Sequence, residues 1–326
     1  MKNTSDLKAV VIGGGSGLSI VLKGLKSVTQ NITAIVSVGD DGGSSGIIRE
    51  DLGILPPGDI RSCIVALADD ESEMGKLLSF RFESGMFKDQ SLGNLLIAAM
   101  CYIKGNFAEA VKAVSDVLKI SGTVLPVTLD DMRIEAELVN GEKVIGESCI
   151  PIVSYTLSSP IKSISIEPKD AQAFNFCVRA IDEADMIILG PGSLYTSVIP
   201  NLLVGGIQNA LTKSHAKKFY CCNIMTQRGE TDGFTAFAHI NALEQHLFDG
   251  YKVFDYVLYN TNINPIHSVL KRYEKEGAYV VLPGDIDSYK DKYHLIDGDY
   301  LMIKNNYAVH DMDKMMQKIL SIVLQG

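Results

Sequence analysis

Gly13, Gly14, Gly15, Ser16 and Gly17 are the first residues in the chain whose types and spacing suit a particular chemistry. They follow an apolar run at 9–12 and precede Leu18, Val21, Leu22 and Leu25, which recur at i, i+3, i+4 and i+7. That spacing predicts one stripe of an amphipathic helix. A glycine-rich turn from strand to helix leaves backbone N–H groups unpaired at the positive end of the helix, an arrangement that suits a phosphate. The spacing is neither G-x-G-x-x-G, since Leu18 holds the last glycine position, nor a Walker A sequence, since no G-K-[ST] follows.

A second apolar run, at 32–38, leads into GDDGGSSG at 39–46. Asp40 stands where an acidic residue can hold a ribose 2′-hydroxyl. With Asp41 and the small loop containing Ser44 and Ser45, it can instead help bind a hard divalent cation on a phosphate. A solvated turn is the plain alternative. In LPPGDIRS, at 55–62, Asp59 reads either as a helix N-cap or as a metal or substrate ligand. Arg49 and Arg61 supply cations that pair with phosphate or with these aspartates.

Three further loops carry polar groups behind apolar segments. SLGN, at 91–94, offers Gly93 for close backbone approach and the Asn94 amide, with Ser91 as a helix cap. GPGSLYTSVIPN, at 190–201, offers Gly190, Gly192 and the hydroxyls of Ser193, Tyr195, Thr196 and Ser197. NIMTQRGETDGF, at 223–234, offers Asn223, Thr226, Gln227, Glu230, Thr231 and Asp232 for sugar or base contacts or for ordering the site wall. Together they imply a large, polar, phosphate-bearing ligand. His239 reads more readily as a core or surface residue than as a base, and no Ser/His/Asp order identifies a nucleophile.

The elements that must position these loops alternate in type. Fully apolar strands at 9–12, 32–38 and 186–190 are separated by amphipathic helices, which predicts a parallel sheet covered on both faces. Helices are expected at 60–68, 92–103, 107–118, 170–184 and 311–324. Strands are expected in FYCCNIM (219–225), YVLYN (256–260) and YVVLPG (279–284). Residues 122–168 change texture, with alternating apolar residues at 133–139 and 161–167 and a two-residue turn at Asn140-Gly141. The whole, 1–326, is expected to be one Rossmann-like α/β domain with 122–168 as an antiparallel β insertion.

The 326 residues carry a formal net charge of −9, and the pI is near 5.2. That balance argues against nucleic acid or an anionic membrane as partner. No signal peptide is read at the N-terminus, no apolar run reaches spanning length, and six scattered cysteines show no metal-ligand spacing, so a cytoplasmic protein without membrane insertion is expected. The adjacent Cys221 and Cys222 read as buried thiols.

Taken in order, these segments resemble the YvcK/CofD family. The resemblance is carried by VVIGGGSGLSIVLKGLK, ITAIVSVGDDGGSSGIIRE, LPPGDIRSCIVALA, SLGNLLIAAM, VLPV, GES, LGPGSLYTSVIPNLL and CNIMTQRGETDGFTAFAH, over nearly the whole chain. The VGDDGGSSG, PPGDIR and Q-GETDG forms are most similar to YvcK-type gluconeogenesis factors. The CofD branch contains phospholactate transferases. The resemblance implies a cytosolic regulator of growth and cell shape on gluconeogenic carbon that binds UDP-sugars, notably UDP-N-acetylglucosamine. Cell-wall synthesis proteins are the implied partners, and self-association into a homo-oligomer stays open.

By resemblance the phosphates would meet residues 13–18, Leu18 included, and the Gly190–Ser193 loop. Asp40, Asp41 and Asp59 would hold Mg²⁺ as in the transferase branch, and Tyr273 would meet the nucleotide. One departure stands out: Val309 occupies a place where related sequences carry arginine. The residues alone also admit NAD as an opportunistic ligand, read from the first loop and Asp40.

Overall fold

The computed structural model describes residues 3–69, 73–262 and 267–325. Strand β1 (Ala9–Gly13) is buried at every position, and α1 (Gly15–Lys26) follows it directly. Leu18, Val21, Leu22 and Leu25 are all fully buried, as their spacing predicts. After β2 (Ile32–Val36) come α2 (Gly43–Leu52), α3 (Gly58–Leu67), α4 (Glu73–Ser79), α5 (Leu92–Lys104) and α6 (Phe107–Leu118). The chain then forms β3 (Thr123–Pro126), β4 (Arg133–Leu138), β5 (Lys143–Ile145), α7 (Cys149–Thr156) and β6 (Ile161–Glu167). Next come α8 (Asn175–Glu183), β7 (Met186–Leu189), α9 (Ile199–Leu203), α10 (Ile207–Lys213), β8 (Lys217–Cys221), α11 (Ala236–Glu244) and β9 (Tyr256–Asn260). The last are α12 (His267–Glu276), β10 (His294–Gly298), β11 (Leu301–Lys304), β12 (Tyr307–His310) and α13 (Met312–Val323).

Seven strands form one parallel sheet in the order β10-β9-β8-β7-β1-β2-β3. The chain builds outward from β1 through β2 to β3, then restarts at β7 on the other side of β1 and builds outward again. Right-handed crossovers therefore place the helices of the two halves on opposite faces. The order reverses between β1 and β7, so the loops leaving these two strands diverge and open a crevice at their carboxyl ends.

The alternating segment divides differently from its expected limits. β3 joins the parallel sheet beside β2, and only β5-β4-β6 form an antiparallel sheet, spanning 133–167 with α7 inside it. β3 is an edge strand with alternating burial, and that pattern reads the same in a parallel or an antiparallel edge. Pro126, which lacks an N–H, is tolerated at such an edge.

Residues 279–284 are not a sheet strand. Val280 makes one isolated bridge to Met225, and the outermost strand is instead β10, half-exposed and without a continuous apolar run. The β11–β12 hairpin also lacks a strong apolar signal. Its turn rests on Asn305 and Asn306, both at positive φ, 50° and 62°. The helix expected from 170 begins only at Asn175. Cys221 and Cys222 are buried, and Cys149 is exposed. No described helix is long and apolar enough to cross a membrane.

Candidate functional site

The crevice between β1 and β7 is built from two glycine loops in contact. Gly190 N–H donates to the Ile12 carbonyl at 3.0 Å, which ties the start of the second loop to β1. A Cβ on Gly17 would lie 2.8 Å from the Pro191 carbonyl carbon and closer still to its oxygen, so the loops meet backbone to backbone. Gly15 opens α1 at φ +64°, a left-handed conformation in which glycine carries no Cβ penalty. The Asn201 amide donates to the Gly13 carbonyl at 3.0 Å and locks the base of the crevice.

Between these loops lies a cavity of about 200 Å³. Gly14, Gly15, Ser16 and Gly17 line it from β1, and Gly192, Ser193, Thr196 and Ser197 from β7. The opposite wall holds Ser37, Asp40, Asp59 and Glu147. Asp40 follows β2, and its Oδ1 accepts the Gly42 N–H at 3.0 Å. Asp59 lies in the first turn of α3 with its carboxylate against Gly14, where a Cβ would come within 2.5 Å of Oδ2. It does not cap α3: Pro57 holds the cap position, and Asp59 accepts the Gly15 N–H instead. Of the residues expected from sequence, Gly14, Gly15, Ser16, Gly17, Asp40, Asp59, Gly192, Ser193, Thr196 and Ser197 therefore line the cavity.

The others position this wall or lie away from it. Asn223 clasps Gly192, accepting its N–H at 3.2 Å and donating to its carbonyl at 2.8 Å. Ser193 Oγ donates to Gln227 Oε1 at 2.8 Å, and Gln227 Nε2 donates to Glu230 Oε1 at 2.9 Å. Glu230 is buried and also accepts from the Thr196 hydroxyl at 3.0 Å and the Tyr195 N–H at 3.2 Å. The GET loop thus holds the second glycine loop in shape. Ser44, Ser45 and Asn94 form a hydroxyl–amide cluster at the starts of α2 and α5, behind Gly58 and Asp40. Gly93 lets α5 approach the Leu78 carbonyl. Leu18 is core.

Three expected ligand contacts are turned elsewhere. Asp41 accepts the Ser148 N–H at 2.9 Å and packs on Gly146, so it docks the antiparallel sheet and does not line the cavity. Thr226 pairs with Tyr279 through its backbone and hydroxyl, at 2.7 and 2.8 Å. The Tyr273 hydroxyl accepts the Ala308 N–H at 3.1 Å and holds the β11–β12 hairpin. Val309 pairs with Met302 in that hairpin. His239 is fully buried, and burial pulls its imidazole down to about 4, so it stays neutral.

Ser37 and Glu147 also line the cavity, although neither is among the candidate residues expected from sequence. Glu147 sits in GES just after the β4–β5 hairpin, and only the docking of that sheet brings it in. Burial, then the charges of Asp40, Glu230, Asp59 and Asp41, push its carboxyl up to about 8. Burial and then Asp40 push Asp59 up to about 6, against the opposing Gly15 N–H and Arg61. Burial lifts Glu230 to about 7, against its bonds from Thr196 and Tyr195.

Carboxyls with raised folded values hold protons that the unfolded chain has released, so their cost is full above the folded value and disappears as pH falls. Lowering the pH from about 8.5 to 6.5 is therefore expected to stabilise the ligand-free protein by on the order of 2 kcal/mol. Buried neutral His239 and His310, both lowered to about 4, oppose this gain below about pH 6.5 and make the further rise shallow. Urea unfolding at pH 8.5 and pH 6.5 checks this gain. A Glu147→Gln variant should flatten the alkaline limb.

Among the described residues no group of three or more His, Cys, Asp or Glu side chains is arranged to hold a metal ion. Asp40 and Asp59 nevertheless suit Mg²⁺, which usually takes one or two carboxylates and completes its shell with phosphate and water. Asp41, turned to Ser148, does not belong to that set.

A family model described as 2-phospho-L-lactate transferase CofD matches residues 9–301. A protein of Thermoanaerobacterium thermosulfurigenes is 51% identical over 327 residues, covering 99% of this chain and 100% of that one. The gluconeogenesis factor of Bacillus subtilis is 42% identical over 318 residues, covering 97% and 98%. The crystal structure of a UPF0052 family protein from Bacillus halodurans superposes with a TM-score of 0.90 at 41% identity, covering 97% of this chain and 100% of that one.

Proposed function

The chain belongs to the CofD family, and on that premise we propose that it is a cytosolic UDP-sugar-binding regulatory protein with UDP-N-acetylglucosamine as its ligand. In this reading it reports UDP-sugar supply to cell-wall synthesis proteins and supports growth and cell shape on gluconeogenic carbon. Its similarity to gluconeogenesis factors over almost the full chain supports the physiological part. The ligand part rests on one observation, the meeting of two glycine loops with Asp40 and Asp59 at the reversal of strand order.

Backbone N–H groups at the start of α1 suit diphosphate oxygens. A bare diphosphate facing the carboxylates of Asp40 and Asp59 would be repelled. Bound Mg²⁺, held by Asp40 and Asp59, would supply the neutralising charge. Ser193, Thr196 and Ser197 add hydroxyl donors on the β7 side, and Asn223, Gln227 and Glu230 keep that loop in place.

A second reading, Mg²⁺-dependent transfer of a phospholactyl-type group, is favoured by the family model's description and by Asp59 and Glu147. Their raised values allow proton exchange near neutral pH. Titration calorimetry with UDP-N-acetylglucosamine, with and without Mg²⁺ and with GDP and NAD as competitors, separates the readings. Selective binding of the uridine sugar without turnover is the expected result. Preference for GDP, with metal-dependent release of the nucleotide from a GDP- or UDP-linked donor as its phosphate-linked group passes to a deazaflavin acceptor, would replace the regulator with the transferase. Preference for NAD would set both aside.

A further inference from the structure

A parallel sheet is normally covered on both faces. One corner of this sheet is not. The register pairs Val10 with Thr33, Thr33 with Thr123 and Ile35 with Leu125, so Val10, Thr33, Thr123 and Leu125 share one face near the amino ends of β1, β2 and β3. Helix α8 stands against that face, yet it buries only Cys177 and Ile181. Its row Phe176, Arg179, Ala180 and Glu183, at i, i+3, i+4 and i+7, borders instead a cavity of about 520 Å³ between helix and sheet. The crevice between β1 and β7 lies at the other end of the strands.

The lining sorts into three chemistries. Phe176 is 57% exposed and rests on Phe174, with ring centroids 5.1 Å apart, which makes a supported aromatic platform. Lys8 Nζ and Arg179 Nε donate to the two oxygens of Glu183 at 2.9 and 2.8 Å. Two cations share one carboxylate, so the lining keeps one net positive charge. Asp185 takes the Lys8 N–H at 2.9 Å and does not line the cavity. Glu183 engages only Nε of Arg179, and the two terminal guanidinium nitrogens bond nothing among the described residues. Gln30, Asn31 and the hydroxyls of Thr33 and Thr123 supply neutral donors and acceptors.

We propose that this cavity binds a nucleoside monophosphate, as a second ligand site remote from the crevice. Its volume falls in the roughly 300–1,000 Å³ range of small-molecule sites. The base stacks on Phe176, since every base has a π-face to offer an aromatic ring. The phosphate meets the open edge of the Arg179 guanidinium and the Lys8 ammonium. One helical turn separates Phe176 from Arg179 on the same face, so a compact mononucleotide reaches both. The amides and threonine hydroxyls meet the base edge and the ribose. One net positive charge suits one phosphate group, and no Mg²⁺ is called for, because the only carboxylate in the lining is already neutralised by two cations. The inference does not rest on the ligand reading of the crevice.

Calorimetry of the full chain in EDTA with AMP, GMP, CMP and UMP tests it, with inorganic phosphate and the matching nucleosides as controls. At least one nucleotide is expected to saturate one site per chain below about 1 mM. Phosphate alone and the nucleoside alone are each expected to bind at least tenfold more weakly. Arg179→Ala and Phe176→Ala are each expected to weaken the nucleotide at least tenfold. Both side chains are mostly exposed, so circular dichroism and melting are expected to stay native. Asp59→Asn, in the crevice, is expected to leave this binding unchanged. Failure of all four nucleotides to bind overturns the proposal. So does binding that survives either cavity variant, binding lost in Asp59→Asn, or phosphate that binds as tightly as the nucleotide.

Discussion

Asp59→Asn is expected to make the ligand-free protein more stable and the ligand complex weaker, two effects of opposite sign from one atom exchange. The carboxyl rises from an ordinary 3.8 to about 6 because it is buried and faces Asp40. Above about pH 6 the folded state therefore bears the cost of its charge, and the neutral amide removes that cost. The gain at pH 8 is on the order of 2 kcal/mol and shrinks toward zero below about pH 4. The amide oxygen can still accept the Gly15 N–H, so the loop keeps its anchor. Binding moves the other way. Without one of its two carboxylates the Mg²⁺ position weakens, and affinity for a UDP-sugar in the presence of Mg²⁺ should fall at least tenfold. Urea unfolding at pH 8 and calorimetry on the same sample give both signs. Undiminished Mg²⁺-dependent binding would remove Asp59 from the metal position.

Gly17→Ala is expected to damage both fold and site through a single methyl group. The new Cβ meets the Pro191 carbonyl, which is backbone and cannot rotate away. Either α1 or the loop after β7 must move, at about 2–3 kcal/mol for overpacking of this kind. Displacing either loop also opens the cavity, so ligand binding should be lost even where the variant still folds. Gly15→Ala is the informative contrast. Nothing lies within 4 Å of its Cβ, and the cost is only that of the left-handed backbone at φ +64°, about 1 kcal/mol. Comparable unfolding curves for the two variants would mean that the loops do not press on each other as described.

Much of the fold was legible because its signals are local. The apolar run, glycine turn and helical stripe at 9–25 lie within one strand–turn–helix unit and require no distant partner. Ser91 caps α5 as its place before an apolar helix predicts. Edge elements were less legible. β3, β10 and the β11–β12 hairpin are half-covered, so their residues need not alternate strongly, and residues 279–284 are apolar without joining a ladder beyond one bridge.

The sequence by itself determined the kind of surface the chain would offer. Glycine-rich turns follow buried strands, so exposed N–H groups and adjacent carboxylates had to gather at the carboxyl edge of a parallel sheet. Which carboxylates would gather was decided only in three dimensions. Asp40 and Asp41 are neighbours in the chain, yet one lines the cavity and the other is held by the N–H of Ser148, 107 residues away. Glu147 reaches the cavity because that same sheet docks there, while Tyr273 is occupied with Ala308. Residue type sets what a side chain can bond to. A side chain at the end of a strand takes the donor that lies within about 3 Å, and tertiary packing decides which donor that is.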